Sequence, residues 1–306
     1  SRGTATMNRR NKHTIDRPGT PYAFLAPALI ATTLVILVPI VFTMSLSFMN
    51  YVIWKPNEIG FVGLANYRAV WEDEIFLISL GNTVVWIAGV IGLQLLLGFL
   101  TALILNQDFL GRGLARALIL VPWVTPSVIT ALMWRWMYDG NTGVLNDLMV
   151  RLGLIERYVP WLAQSTSSLP AIMVALMWQG FPFFAIMILA GLQAIPKELY
   201  EVADVDGAST IQKFGRITVP MITPVLFTTI LLRTIWVANS LDIIFIMTGG
   251  GPGYSSHTLP LYSYIKAYRG LDFGYAATVA VYLTILLIAV VTMYVVRVAR
   301  TEDQMR

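Results

Sequence analysis

Six long apolar runs separated by polar stretches set the pattern of this chain: roughly 22–49, 76–105, 114–137, 168–194, 219–247 and 274–297. Each reaches the ~20 residues an α-helix needs to cross ~30 Å of hydrocarbon. A lone strand in lipid leaves its backbone unpaired, so every run is expected to be helical. The pattern predicts an all-α membrane protein with six transmembrane helices over 22–297, a polar tail at 1–21 and a short tail at 298–306. Lysine and arginine give the orientation. Of the 21, thirteen lie in the tails, in the 106–113 and 195–217 connections or at the adjoining span ends (Arg116 and Arg297), six lie in 50–75, 138–167 and 248–273, and Arg135 and Arg233 fall within spans. Basic residues collect on the cytoplasmic side, so both termini are expected inside.

Composition agrees. Apolar residues make up 57% of the chain and charged ones 12%, about half the charged share of a soluble domain, and mean hydropathy is +0.68. The net charge of +4 follows from the sidedness of the loops and points to a lipid bilayer, not to nucleic acid. The absence of cysteine removes disulfides and thiolate chemistry, and two histidines, His13 and His257, do not suggest a metal site. The spans hold no paired carboxylates and no nucleophile with a base, so no enzyme is expected. The basic N-terminus has no apolar core before a small-residue cleavage site and reads as a cytoplasmic tail, not a secretory leader. Trp54, Trp71, Tyr138, Trp161, Tyr262 and Tyr268 suit an interfacial belt. Pro27, Pro39, Pro122, Pro126, Pro182 and Gly191 interrupt spans, either as kinks and close-packing points or as the breaks of a substrate cavity.

The polar insert at 197–224 carries the most information. Pro196 can open a helix, and Lys197–Asp204 reads as a short helix with an apolar side at Leu199, Val202 and Ala203. Asp206-Gly207 breaks it. A second short helix is expected over 208–216, with Phe214 and Ile217 returning to the membrane and Pro220 and Pro224 marking the fifth span. Small residues at Ala203, Gly207 and Ala208 would let this elbow drop into a cleft on another protein. An amphipathic turn lying on the bilayer is the other reading.

The spacing Glu201-x-Ala203-x-x-Asp206-Gly207-Ala208, followed by Phe214, Ile217, Pro220 and Pro224, resembles the EAA loop of binding-protein-dependent ABC importer permeases. Val202 and Val219 stand where the family usually has Ala and Leu. The likeness extends along the chain, through FVGLANYRAVW, LVPWVTPSVITALMWRWMY and LDIIFIMTGGGPGYSSHTLPLYSYIKAYRGLDFGYAAT. These segments are similar to the subunit type of the larger maltose permease and its glycerol-phosphate and oligosaccharide relatives. The resemblance implies a type I importer fold in the bacterial inner membrane. It further implies a second homologous permease, two nucleotide-binding ATPase subunits that use ATP and magnesium, and an extracytoplasmic solute-binding protein. No GxxxxGK[ST] occurs here, so the ATPase is a separate chain. Glu201 and Gly207 would be central to a coupling helix docked on it, with Ala203, Asp206, Ala208 and Phe214 shaping the contact.

Polar and aromatic groups inside spans mark the candidate solute path. Arg233, Trp236, Val237 and Ser240 share a helical face by spacing. By resemblance, Leu176, Gln179, Gly180, Arg233, Trp236, Val237 and Ser240 align with sugar-contacting positions, although Leu176, Val237 and Arg233 depart in kind. Arg233 has two readings: a charge neutralised within the membrane, by Asp242 or by an acid on another chain, or a contact to a hydroxyl-rich or anionic solute. Arg135 reads as snorkelling, and Asn82 and Gln94 as hydrogen-bonding glue between helices. The function expected is carbohydrate import. The alternatives are an anionic solute such as a glycerol phosphate or uronide, or an ion-coupled secondary carrier.

Overall fold

The computed structural model describes residues 20–304. The tail at 1–21 lies outside the described residues except for its last two, and α15 (Phe273–Gln304) carries helix past the expected end of the last span. Among the described residues, five helices are long and apolar enough to cross a membrane: Phe24–Leu46, Glu74–Asn106, Ser168–Gln193, Thr210–Ala238 and Phe273–Arg297. The third expected span is not one helix. It is a bent pair, Arg112–Val124 and Ser127–Met137, turned by 92°.

The first span joins α1 (Thr20–Thr32) to α2 (Val38–Leu46) through a π-helical turn at Thr33–Leu37. A second π turn, Phe214–Thr218, leads into α12 (Val219–Ala238). Both stand just before a proline, Pro39 and Pro220. A proline ring collides with the carbonyl four residues back and offers no N–H. In each case the residue ahead of the proline donates five residues back, Val38 to Thr33 and Val219 to Phe214. That widened turn makes room for the ring without stopping the helix.

The core lies between α4 (Glu74–Asn106) and α9 (Ser168–Gln193), which pack along most of their length and are crossed by α12. Trp86, Val90, Ile172, Phe184, Ile188 and Ile222 are buried there. The first span differs, since none of its most apolar window is buried within the chain; that surface is left for lipid or another subunit.

The third span begins with α5 (Arg112–Ile119) and α6 (Val121–Val124) and resumes as α7 (Ser127–Met137). Thr125 is extended, the backbone preferred before a proline, here Pro126. The fifth span, expected to run through 247, stops at Ala238 and resumes as α13 (Asp242–Met247). The two resumed pieces pack together: Ser127 Oγ lies 2.8 Å from Asp242 Oδ2, and Arg135 Nη1 donates to the Ile246 carbonyl at 3.0 Å. Arg135 therefore ties two helices together rather than snorkelling alone.

The connections at the end of the bundle where α4 and α9 begin are more structured than expected. A two-residue antiparallel pairing joins β1 (Met49–Asn50) to β2 (Gly60–Phe61), a small departure from an all-helical chain. It is followed by α3 (Ala65–Trp71); α8 (Val144–Arg151) and a short turn at Trp161–Ala163 occupy the second loop, and α14 (Leu259–Tyr268) the third. Asn66 Nδ2 holds the Ser47 and Met49 carbonyls at 3.1 and 2.8 Å, so the Asn of the Gly-Leu-x-Asn-Tyr segment is a staple. Wholly buried Asn146 plays the same part for Asp139, Val159 and Trp161. Trp54, Trp71 and Tyr268 are exposed as belt residues should be, whereas Tyr138 and Tyr262 are buried in the cap that these loops form.

Asp73 anchors that cap. It accepts from the Ile75 amide at the start of α4, from Tyr262 on α14 and from Tyr275 on α15, with Lys266 Nζ 3.7 Å away. Burial pushes its carboxyl up. The hydrogen bonds from Tyr262, Tyr275 and Ile75 and the charge of Lys266 more than offset this, leaving it below its ordinary value. A depressed folded-state pKa gives stability that is complete above the ordinary carboxylate value and lost as pH falls through the depressed one. Amide-exchange protection of α14 is therefore expected to hold from neutral pH to about pH 4 and fall only in stronger acid. Asp73→Asn should raise exchange at neutral pH. Loss of protection in the unchanged chain already near pH 6 would refute the assignment.

Candidate functional site

Three helices meet in the middle of the bundle because residue 180 has no side chain. A Cβ at Gly180 would fall 2.1 Å from both Arg233 Nη2 and Gln94 Nε2. Gln94 is wholly buried on α4; its Nε2 donates to the Leu176 carbonyl of α9 at 2.7 Å, and its Oε1 accepts from Arg233 Nε of α12 at 3.0 Å. Gln94 is thus glue between helices, as its place in an apolar run implied. Arg233, at 7% exposure, is nearly as buried. Its expected partner, Asp242, is exposed and bonded to Ser127 instead. Among the described residues Arg233 makes no ion pair.

The shared face expected for Arg233, Trp236, Val237 and Ser240 divides. Val237 is buried, and its carbonyl accepts from Trp86 Nε1 at 3.0 Å. Trp236 points outward, 47% exposed, with the Arg233 guanidinium 5.8 Å from its ring centre. Ser240 lies past the helix end, where its hydroxyl donates to the Trp236 carbonyl at 3.1 Å. The spacing argument assumed unbroken helix through 240, and the helix ends two residues earlier.

Gln179 is half-buried on α9, and its Nε2 donates at 2.9 Å to the Thr125 carbonyl, freed by the break in the third span. Beside it runs a strip of aromatic rings that the sequence reading missed. Trp236 lies 5.2 Å from Phe183, and Phe183 lies 5.7 Å from Trp123. Their signals were available: Phe183 falls one turn after Gln179, and Trp123 stands three residues before the breaking Pro126.

At the opposite end from the cap, the polar insert forms a braced elbow. α10 (Lys197–Val205) ends with Asp206 as cap and Gly207 at φ +72°. Gly207 N–H donates to Asp204 and Ala208 N–H to Ala203, the paired bonds that satisfy a helix C-terminus. Ser209 and Gln212 form a reciprocal capping box at the start of α11 (Thr210–Lys213). The expected short helix over 208–216 is instead the beginning of a 29-residue helix that continues into the membrane, Thr210–Ala238. Lys213 pairs with Asp204, Tyr200 bonds Thr218 at 2.8 Å, and Phe214 meets Phe99 edge-on. Glu201, Asp206 and Gly207 are exposed, and Ala203 and Ala208 partly so. Val205 and Ile211 stand out at 89% and 83% exposure.

A family model described as "binding-protein-dependent transport system inner membrane component" matches residues 94–300. The chain is 37% identical to the trehalose/maltose transport system permease protein of Thermococcus litoralis, over 91% of this chain and 93% of that one. It is 36% identical to the sulfoquinovosyl glycerol transport system permease protein of Agrobacterium fabrum, over 91% and 90%. Its fold is similar to a chain of a solved bacterial ABC transporter involved in import of the acidic polysaccharide alginate, with TM-score 0.77 at 23% identity over 94% and 97% of the two chains.

Proposed function

This chain belongs to the binding-protein-dependent transport system inner membrane component family, and we propose that with a second homologous permease it forms the translocation pathway of an ATP-driven carbohydrate importer. It is a multi-pass permease subunit and not itself an enzyme; ATP and magnesium belong to two partner ATPase subunits. The setting is the bacterial cytoplasmic membrane, with both termini and the 197–224 loop inside and the α14 cap facing an extracytoplasmic solute-binding protein. The names of the sugar-transporting relatives support the solute class.

The observation that carries the coupling role is the elbow: braced from within, yet leaving the apolar side chains of Val205, Ile211 and Val202 exposed. An apolar surface held so rigidly suits docking in a groove of another protein. The same helix runs from the elbow to the pathway, about 44 Å at 1.5 Å per residue. Closure of the ATPase pair would move α10, shift α12 as a rod, and act at its broken end on α13 and the α7 packed against it. An ion-coupled carrier is set aside by family membership. An anionic solute remains the second reading, favoured by the missing acid partner of Arg233.

The absence of cysteine makes the orientation testable by single-site labelling. In Ser209→Cys, a membrane-impermeant maleimide is expected to react in inside-out vesicles and not in intact cells. Labelling from outside would sink both the orientation and the ATPase-docking role.

A further inference from the structure

We propose that the join between the third and fourth spans, at the elbow end of the bundle, holds an anionic phospholipid, with Arg116 taking the phosphate and an acyl chain lying between α5 and α9. The placement of this site in the cytoplasmic leaflet rests on the orientation proposed above; its chemistry does not. A cavity of about 320 Å3 opens between α5 and the last two turns of α9, with Leu105 of α4 also in its lining. Its walls are Ala117, Ile119 and Leu120 on one side and Ile186, Leu189 and Ala190 on the other. Only Arg116 and Gln193 bring polar side chains to it. The two helices run in opposite directions here. Arg116 and Gln193 therefore stand at the loop end of the groove, and Leu120 and Ile186 lie deeper. From Gln193 to Ile186 is about 10 Å along α9.

The occupant follows from the two ends of that groove. Arg112 pairs with Asp108 at 2.7 Å, but among the described residues Arg116, one turn on, has no acid partner. Its Nε is buried without an acceptor, and its Nη2 reaches only the Leu105 carbonyl, at a long 3.4 Å. A guanidinium has five donors in a fixed fork, and a phosphate accepts from two of them at once. Below this charge the walls are aliphatic, so water has too few polar partners to fill the groove. A small soluble anion would answer Arg116 and leave the apolar walls bare. A phospholipid answers both ends, and basic pockets between spanning helices on the cytoplasmic side suit anionic headgroups. Leu114 and Leu118, also on α5, are exposed, so the helix offers hydrocarbon further apolar surface beside the groove. A lipid seated there packs the join where the third span enters the membrane and α9 leaves it for α10.

The test uses the assembled transporter in phosphatidylcholine vesicles that carry a trace of photoreactive lipid, either phosphatidylglycerol or phosphatidylcholine with a diazirine on one acyl chain. On illumination, residues 117–120 and 186–190 are expected to be labelled about fivefold more by the glycerol probe than by the choline probe. Arg116→Gln should remove that preference and leave choline labelling unchanged, and Arg116→Lys should keep most of it. Ala117→Trp and Ala190→Trp fill the groove from opposite walls, and each should abolish labelling by both probes at wild-type complex yield. Labelling of the exposed first span, the same in every variant, is the internal reference. Equal labelling by the two probes in the unchanged transporter overturns the proposal, as does a glycerol preference that survives Arg116→Gln. No labelling of the two segments by either probe means that the second permease covers the groove, and overturns it too. The probes occupy both leaflets, so this outcome does not depend on the orientation, which the Ser209→Cys vesicles decide separately.

Discussion

Gln94→Leu is expected to reduce the yield of detergent-stable transporter more than any substitution on the exposed pathway face. The leucine fits the apolar surroundings, but it removes the side-chain acceptor that Arg233 Nε uses. A nearly buried guanidinium is then left without that bond, at about 3 kcal/mol. Arg233→Met should do less damage, because it removes the charge and leaves only the Gln94 carbonyl unanswered, about 1–3 kcal/mol. Joining the two changes should recover most of the yield, since neither polar group is then stranded. The four yields form a double-mutant cycle whose coupling measures the pair. Wild-type yield for Gln94→Leu would show that the pair does not hold these helices. Normal yield for Arg233→Met with lost uptake would assign Arg233 to the solute.

How far the sequence carried differs by element, and the reason is physical. The apolar runs were legible because spanning hydrocarbon needs only length and hydropathy. The first half of the elbow was legible because its signal is local, Asp206-Gly207 ending one helix; the second helix was expected to stop near 216, but the Ser209–Gln212 capping box opens one that runs on to Ala238. The break at Pro126 was not distinguishable from the other prolines. Pro182 sits within continuous helix and Pro39 and Pro220 are absorbed by π turns, whereas Pro126 bends the chain by 92°. The freed Thr125 carbonyl is answered by Gln179, 54 residues away. Arg233 was matched to Asp242 because they are near in sequence, while its partner Gln94 is 139 residues distant. Local caps and turn residues are written into adjacent positions, but a tertiary hydrogen bond is not.

Gly207→Trp is expected to abolish uptake and the stimulation of ATP hydrolysis by loaded binding protein, while membrane insertion and chain yield stay close to normal. Two effects act at this position and can be separated. The backbone is left-handed at φ +72°, so any side chain adds strain of about 1–2 kcal/mol. A Cβ there meets nothing within 4 Å, so the chain itself has room for bulk. Gly207→Ala introduces the strain with almost no bulk and should keep much of the uptake. Gly207→Trp has similar strain but projects an indole from the exposed elbow between α10 and α11, into the space that the proposed ATPase docking would need. A large gap between the two variants therefore measures docking, and equal losses would point to backbone strain. Glu201→Lys adds an independent probe, since it reverses an exposed charge on α10 without touching the turn, and should weaken the same contact. Uptake and ATPase association at wild-type levels in both Gly207→Trp and Glu201→Lys would remove the coupling role from this loop.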